Sequence, residues 1–103
     1  LEIVFNNKKI EALYTKGSSP KYRLEPGIVQ SFFEVVAILE AAKDINDLRQ
    51  SPSLHFEKLQ GSKNRFSARL NVKWRLEMEI EWQNDEMTVG IIGIEEISNH
   101  YGG

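Results

Sequence analysis

The sequence contains no cysteine. That absence excludes disulfide staples, thiol nucleophiles and the thiolate sites that hold zinc or iron–sulfur clusters. Histidine is scarce: only His55 and His100 occur, far apart and outside any H-E-x-x-H spacing. A metal site would need carboxylates gathered from scattered positions, and neither metal nor cofactor is expected. No apolar run approaches the roughly 20 residues that cross a bilayer, and the first residues lack the basic-then-apolar order of a secretory leader. A cytoplasmic setting without membrane attachment is the expectation. Nor does one sign of charge dominate, since 13 Lys and Arg stand against 15 Asp and Glu, for a net charge of −2. Taken whole, that balance argues against a nucleic-acid partner, which demands a basic surface.

What is present fits one compact domain over residues 1–103. The chain is 41% apolar, and a domain of this length buries roughly 60–70% of its unfolded surface, enough for a single core. The charges are sharply divided along it. Residues 1–52 are balanced, with seven bases and seven acids. Residues 53–75 carry Lys58, Lys63, Arg65, Arg69, Lys73 and Arg75 against Glu57 alone, a net of +5. Beyond them Glu77, Glu79, Glu81, Asp85, Glu86, Glu95 and Glu96 have no basic counterpart, a net of −7. Basic and acidic strands side by side can simply pair their charges across a ladder; alternatively, the basic block is a binding surface.

Hydropathy patterning supplies the elements. Glu2 to Phe5 reads as a short strand. Asn6 or Asn7 can cap a helix over 7–16, with Ile10, Leu13 and Tyr14 on one face and Gly17 at its stop. The dense apolar segment from Ile28 to Ala42 reads as a helix buried over a wide arc, and Asp44 to Leu48 adds a helical turn. Strands are expected over 54–59, 66–71, 74–82 and 87–94, the third with strict alternation of Trp74, Leu76, Met78, Ile80 and Trp82 against charged residues. Both tryptophans therefore belong to the core side. The order indicates an α+β fold, two N-terminal helices packed on a four- to five-stranded, mainly antiparallel sheet. Keeping polar faces together requires an odd loop between the second and third of these strands, or a bulge, because a one-residue slip exchanges the faces. A loop over 72–74 puts Arg69 opposite Glu77.

The run Lys58-Leu59-Gln60-Gly61, then Arg65-Phe66-Ser67-Ala68-Arg69-Leu70-Asn71, then Trp74-Arg75-Leu76 resembles the L-K-G, S-I-R-V-N and W-R-I pattern of HigB-type toxins in the RelE/ParE toxin–antitoxin superfamily. The closing His100-Tyr101 is similar to that family's aromatic tail, commonly D-Y-H. Two departures stand out: Gln60 replaces the lysine of L-K-G, and no aspartate precedes the His-Tyr pair. The resemblance implies a RelE/ParE-like domain acting as a ribosome-dependent mRNA endoribonuclease. It also implies a HigA-like helix-turn-helix antitoxin that neutralises the toxin in a hetero-oligomer.

Metal-free RNA cleavage must activate a 2′-OH, stabilise charge on the phosphoryl oxygens and protonate the 5′-oxygen. Arginine suits the second task, because its permanently charged fork can hold two phosphate oxygens together. The resemblance assigns it to Arg69 and Arg75, with salt bridges to Glu77 and Glu79 as the structural alternative. It assigns proton handling and base stacking to His100, Tyr101 and His55. Lys58, Lys63, Arg65, Ser67, Asn71 and Lys73 are the expected RNA-positioning residues. Two other readings share the fold: a ParE-like poison of DNA gyrase, and a non-catalytic protein-binding module.

Overall fold

The computed structural model describes residues 1–19 and 24–99. In chain order these form β1 (Ile3–Phe5), α1 (Lys8–Lys16), α2 (Pro26–Ala41), α3 (Ile45–Arg49), a 3-10 turn (Pro52–Leu54), β2 (Glu57–Lys58), β3 (Arg65–Arg69), β4 (Trp74–Trp82) and β5 (Gly90–Asn99). The fold is α+β, as expected, with α3 as the anticipated extra helical turn. The strands make one mixed sheet in the order β1-β5-β4-β3-β2. Only β1 runs parallel to its neighbour, β5; the other pairs are antiparallel.

Local chemistry sets the helix ends. The Asn7 side chain accepts from the Lys9 and Ile10 N–H groups at 2.9 and 3.3 Å, occupying the free donors of the first turn of α1. Gly17 closes that helix at φ 77°, a left-handed position that costs glycine nothing. Pro26 opens α2 at a position where its missing N–H is no loss. Along α2, Ile28, Phe32, Val35, Val36 and Leu39 are buried at helical spacing. They join Ile10 and Leu13 of α1 and the apolar sheet face, Phe66, Ala68, Leu76, Met78, Ile80, Ile92, Ile94 and Ile97, in a single core. Trp74 and Trp82 pack half-buried against it.

Three expectations need correction. The strand over 54–59 shrinks to two residues, because Pro52 starts a 3-10 turn and His55 closes it at φ 45°, ψ 48°. The last strand begins at Gly90 rather than 87, because Asn84 Oδ1 ties up the Thr88 and Val89 N–H groups within the loop. It then runs on to Asn99, since Ile97, Ser98 and Asn99 pair with Leu76, Arg75 and Trp74. The third correction is the register of the central hairpin: Arg69 pairs with Arg75, and Glu77 lies opposite Ser67. The faces are as anticipated and the loop is odd, but it spans 71–73. Asn71 makes the difference. Its Oδ1 accepts from the Lys73 and Trp74 N–H groups at 2.8 and 2.7 Å, centring the three-residue turn on Val72 instead of Lys73.

The polar sheet face is polarised from end to end. Arg69, Arg75 and Ser98 form the rung beside the turn; Ser67, Glu77 and Glu96 form the next, with Glu57 at its edge. Farther on lie Arg65, Glu79 and Gly93, then Glu81 and Ile91. A bulge in β5 inserts Glu95 between Ile94 and Glu96, adding another carboxylate to the acidic portion. The charge division of the sequence thus becomes a basic end and an acidic end of one surface.

Candidate active site

Arg69 and Arg75 face each other directly across β3 and β4. The Leu70 N–H donates to the Trp74 carbonyl at 2.9 Å, so the adjoining 69/75 pair is of the non-hydrogen-bonded kind, in which side chains lie closer. Like charges in such a pair repel, and neutral acceptors surround both. Arg69 Nε donates to the Asn71 carbonyl at 3.3 Å, and its Nη1 lies 3.0 Å from His55 Nε2. Arg75 Nε donates to Ser67 Oγ at 3.0 Å and its Nη2 to the His55 carbonyl at 2.8 Å. Among the described residues one carboxylate takes part: Glu57 Oε1, 3.1 Å from Arg75 Nη2.

These bonds leave donors over. Among the described residues, Arg69 Nη2 and Arg75 Nη1 have no hydrogen-bond partner. Two guanidinium groups held side by side with unused N–H donors are suited to a phosphate, whose oxygens they can bind together. Because a guanidinium only donates, the contact with Arg69 assigns His55 Nε2 as the acceptor and places the proton of the neutral ring on Nδ1.

The structure brings His55, Ser67, Arg69, Asn71 and Arg75 together, and Lys73 sits in the same turn as Asn71. Ser67 and Asn71 serve differently from expectation. Ser67 is fully buried and supports Arg75, while Asn71 builds the turn and holds Arg69. Arg65 stands apart, with Nη2 3.2 Å from Glu77 and Nη1 3.8 Å from Glu95, an ion-paired strand residue rather than an available cation. Glu77 thus pairs with Arg65, not with the arginines of the rung. Lys58 and Lys63 are exposed, on β2 and in the connection to β3. His100 and Tyr101 lie outside the described residues.

Sequence reasoning missed Glu57 as a site residue, although it is the sole acid among the six bases of 53–75. It also missed Ser98, the strand partner of Arg75, whose buried hydroxyl has no hydrogen-bond partner among the described residues. No spacing rule marks a serine that only β5 register brings there. A cleft of about 410 Å³ opens beside the rung between α2 and the turn, with Ile28, Asn71, Lys73, Trp74 and Asn99 in its walls. A second hollow, about 330 Å³, lies at the acidic end against Val4, Glu79, Glu81 and Ile91. Its carboxylates repel phosphate, so the arginine rung is the better candidate for nucleic acid.

A family model for the RelE-like toxin of the type II toxin–antitoxin system HigB matches residues 3–91. Among solved structures, a YoeB/ParE toxin from Agrobacterium tumefaciens superposes with a TM-score of 0.55 at 12% identity, covering 98% of this chain and 100% of that one. That likeness concerns the fold. No curated protein sequence matches the chain significantly. With a family match over most of its length and the corresponding fold, the chain belongs to the HigB-like, RelE-like toxins of type II toxin–antitoxin systems.

Proposed function

We propose that this toxin is a metal-independent endoribonuclease that cleaves mRNA on the translating ribosome. The observation that carries the reading is the rung of Arg69 and Arg75, two cations held together with unused donors. In the proposed reaction the 2′-OH gives up its proton, its oxygen bonds to the adjacent phosphorus, and the bond from phosphorus to the 5′-oxygen breaks as that oxygen gains a proton. The products are a 2′,3′-cyclic phosphate and a 5′-hydroxyl. Arg69 and Arg75 bind the non-bridging oxygens as their charge grows, which is where fixed donors have the greatest effect. His100 and Tyr101, which follow β5 in the sequence, supply the imidazole and phenol for proton transfer. His55 belongs to the site through its contacts with both arginines. Lys58, Lys63 and Lys73 contribute phosphate-positioning charge, and Ser67 and Asn71 act on RNA only through the arginines they hold.

A type II toxin implies an antitoxin partner. We assign that role to a HigA-like helix-turn-helix protein, with the ribosome as the site of action and the cytoplasm as the compartment. None of the described helices is long and apolar enough to cross a membrane. The test is induction of the toxin in cells, with mRNA ends mapped, for the native chain, Arg69→Ala and Arg75→Ala. New ends within translated codons, lost in both variants together with growth arrest, support the reading. Arrest without new mRNA ends, accompanied by loss of supercoiling activity of purified gyrase, would replace it with the gyrase-poison alternative.

A further inference from the structure

We infer that His55 is the positioning residue of the arginine pair, orienting Arg69 through its ring and Arg75 through its backbone carbonyl. This rests on the ribonuclease reading for its activity test, though not for its structural one. His55 adopts φ 45°, ψ 48°, the left-handed region that residues other than glycine seldom occupy and that histidine tolerates better than most. Its neighbours hold it there. Leu54 is buried in the core, and the Phe56 ring stacks on Phe66 with centroids 5.1 Å apart and planes at 7°. Between these anchors the chain turns from the 3-10 turn into β2, and from this one exposed residue the ring reaches Arg69 and the carbonyl reaches Arg75. Backbone strain concentrated where two functional side chains converge is characteristic of a site held by its surroundings.

The chemistry explains why a histidine suits the place. Two guanidinium groups on one rung need acceptors that fix their orientation without cancelling the charge a phosphate requires. A neutral imidazole and a peptide carbonyl both do this, whereas a carboxylate neutralises as it holds. The neutral ring has a single lone pair, and Arg69 Nη1 occupies it at 3.0 Å, so in this arrangement His55 is not free to take a proton from a 2′-OH. A protonated ring has no lone pair and would add a third positive charge to the rung. Among the described residues, the charged groups around it are Arg69 from β3, Arg75 from β4 and Glu57 from β2, with Glu34 of α2 lining the groove beside Arg69.

Three substitutions separate the two contacts. His55→Gly keeps the left-handed backbone and its carbonyl but removes the ring. His55→Val disfavours that backbone and removes the ring, so both contacts go. His55→Gln restores a neutral acceptor that cannot be protonated. The first readout is the pair of arginine Nε–Hε resonances in ¹⁵N NMR of the whole chain without RNA. His55→Gly should move the Arg69 signal and spare that of Arg75, while His55→Val should move both. The second readout is cleavage of ribosome-bound mRNA. His55→Gly should lower it by a factor of roughly 10 to 100, the equivalent of one charge-assisted hydrogen bond. His55→Gln should recover much of the rate and return the Arg69 resonance toward its native position. The inference is overturned if His55→Gly leaves the Arg69 resonance unmoved. It is also overturned if His55→Gln is as inactive as His55→Gly with both arginine resonances in place, which would make His55 a proton-transfer group. If the valine variant does not fold, the glycine and glutamine variants decide alone. If the native chain cleaves no RNA, the NMR arm still decides the positioning role.

Discussion

Replacing Arg75 with alanine should damage stability and function together, whereas the same change at Arg69 should damage function nearly alone. The Arg75 side chain is only 12% exposed and covers Ser67, which is fully buried. Its removal leaves the Ser67 hydroxyl without its donor, at a cost of about 1–3 kcal/mol. It also breaks the pair with Glu57, whose side chain is 58% exposed, so that pair adds about 0–1 kcal/mol. Relief of repulsion from Arg69 returns about 0.2–1 kcal/mol. The net loss for Arg75→Ala is about 1–3 kcal/mol, a fall in Tm of roughly 5–20 °C for a domain of this size. Arg69 is more loosely held. It touches the exposed His55 ring and the Asn71 carbonyl, and its removal relieves the same repulsion, so Arg69→Ala should shift stability by less than about 1 kcal/mol. Loss of either guanidinium should slow cleavage by about 10²–10³. Urea titrations followed by circular dichroism give the stabilities, and single-turnover cleavage of ribosome-bound mRNA gives the rates. Equal destabilisation by the two variants, or an Arg75→Ala protein as stable as the native chain, would refute the hydrogen-bond network described for the rung.

Other substitutions probe its surroundings. Arg65→Gln should leave RNA cleavage within a few-fold of native, because Glu77 and Glu95 already occupy that guanidinium; a loss comparable to Arg69→Ala would return Arg65 to the RNA site. Asn71→Ala deletes the two bonds that close the hairpin turn and should cost about 1–2 kcal/mol in urea unfolding. Cleavage should fall too, since the 69/75 register depends on that turn. At Gly90 an added Cβ would lie 2.6 Å from both the Glu81 carbonyl oxygen and Ile80 Cγ2. Gly90→Ala should therefore destabilise by about 1–3 kcal/mol, read as a lower Tm, while folded protein at low temperature keeps its cleavage rate.

The parts of the fold that depend on periodicity were legible in the residues. The alternation from Trp74 to Trp82 placed β4 at its observed bounds, and parity placed Ser67, Arg69 and Arg75 on one face. Parity alone leaves register open in steps of two, and the step was decided by one carboxamide, Asn71. The 54–59 strand failed for a related reason. Its apolar residues read equally well as a strand, but Pro52 and the left-handed His55 take the first half into a turn. That turn assembles the site, bringing His55 to both arginines and setting Glu57 beside Arg75. The basic block also looked more uniform than it is. Arg65 and Arg69 lie four apart in sequence, yet one is ion-paired among carboxylates and the other is held by neutral acceptors. Only the pairing of β3 with β4 and the bulge in β5 separates them.

In the proposed reaction the arginine rung stabilises attack by an RNA 2′-oxygen on its own phosphate. The most direct test presents the purified toxin with ribosomes programmed by a short mRNA, intact or carrying a single 2′-deoxy nucleotide immediately before the mapped cut. The expected result is a 2′,3′-cyclic phosphate and a 5′-hydroxyl from the intact message, and no cut at the deoxy position. Undiminished cleavage at the deoxy position, or native-like cleavage of the intact message by Arg69→Ala and Arg75→Ala, would contradict it.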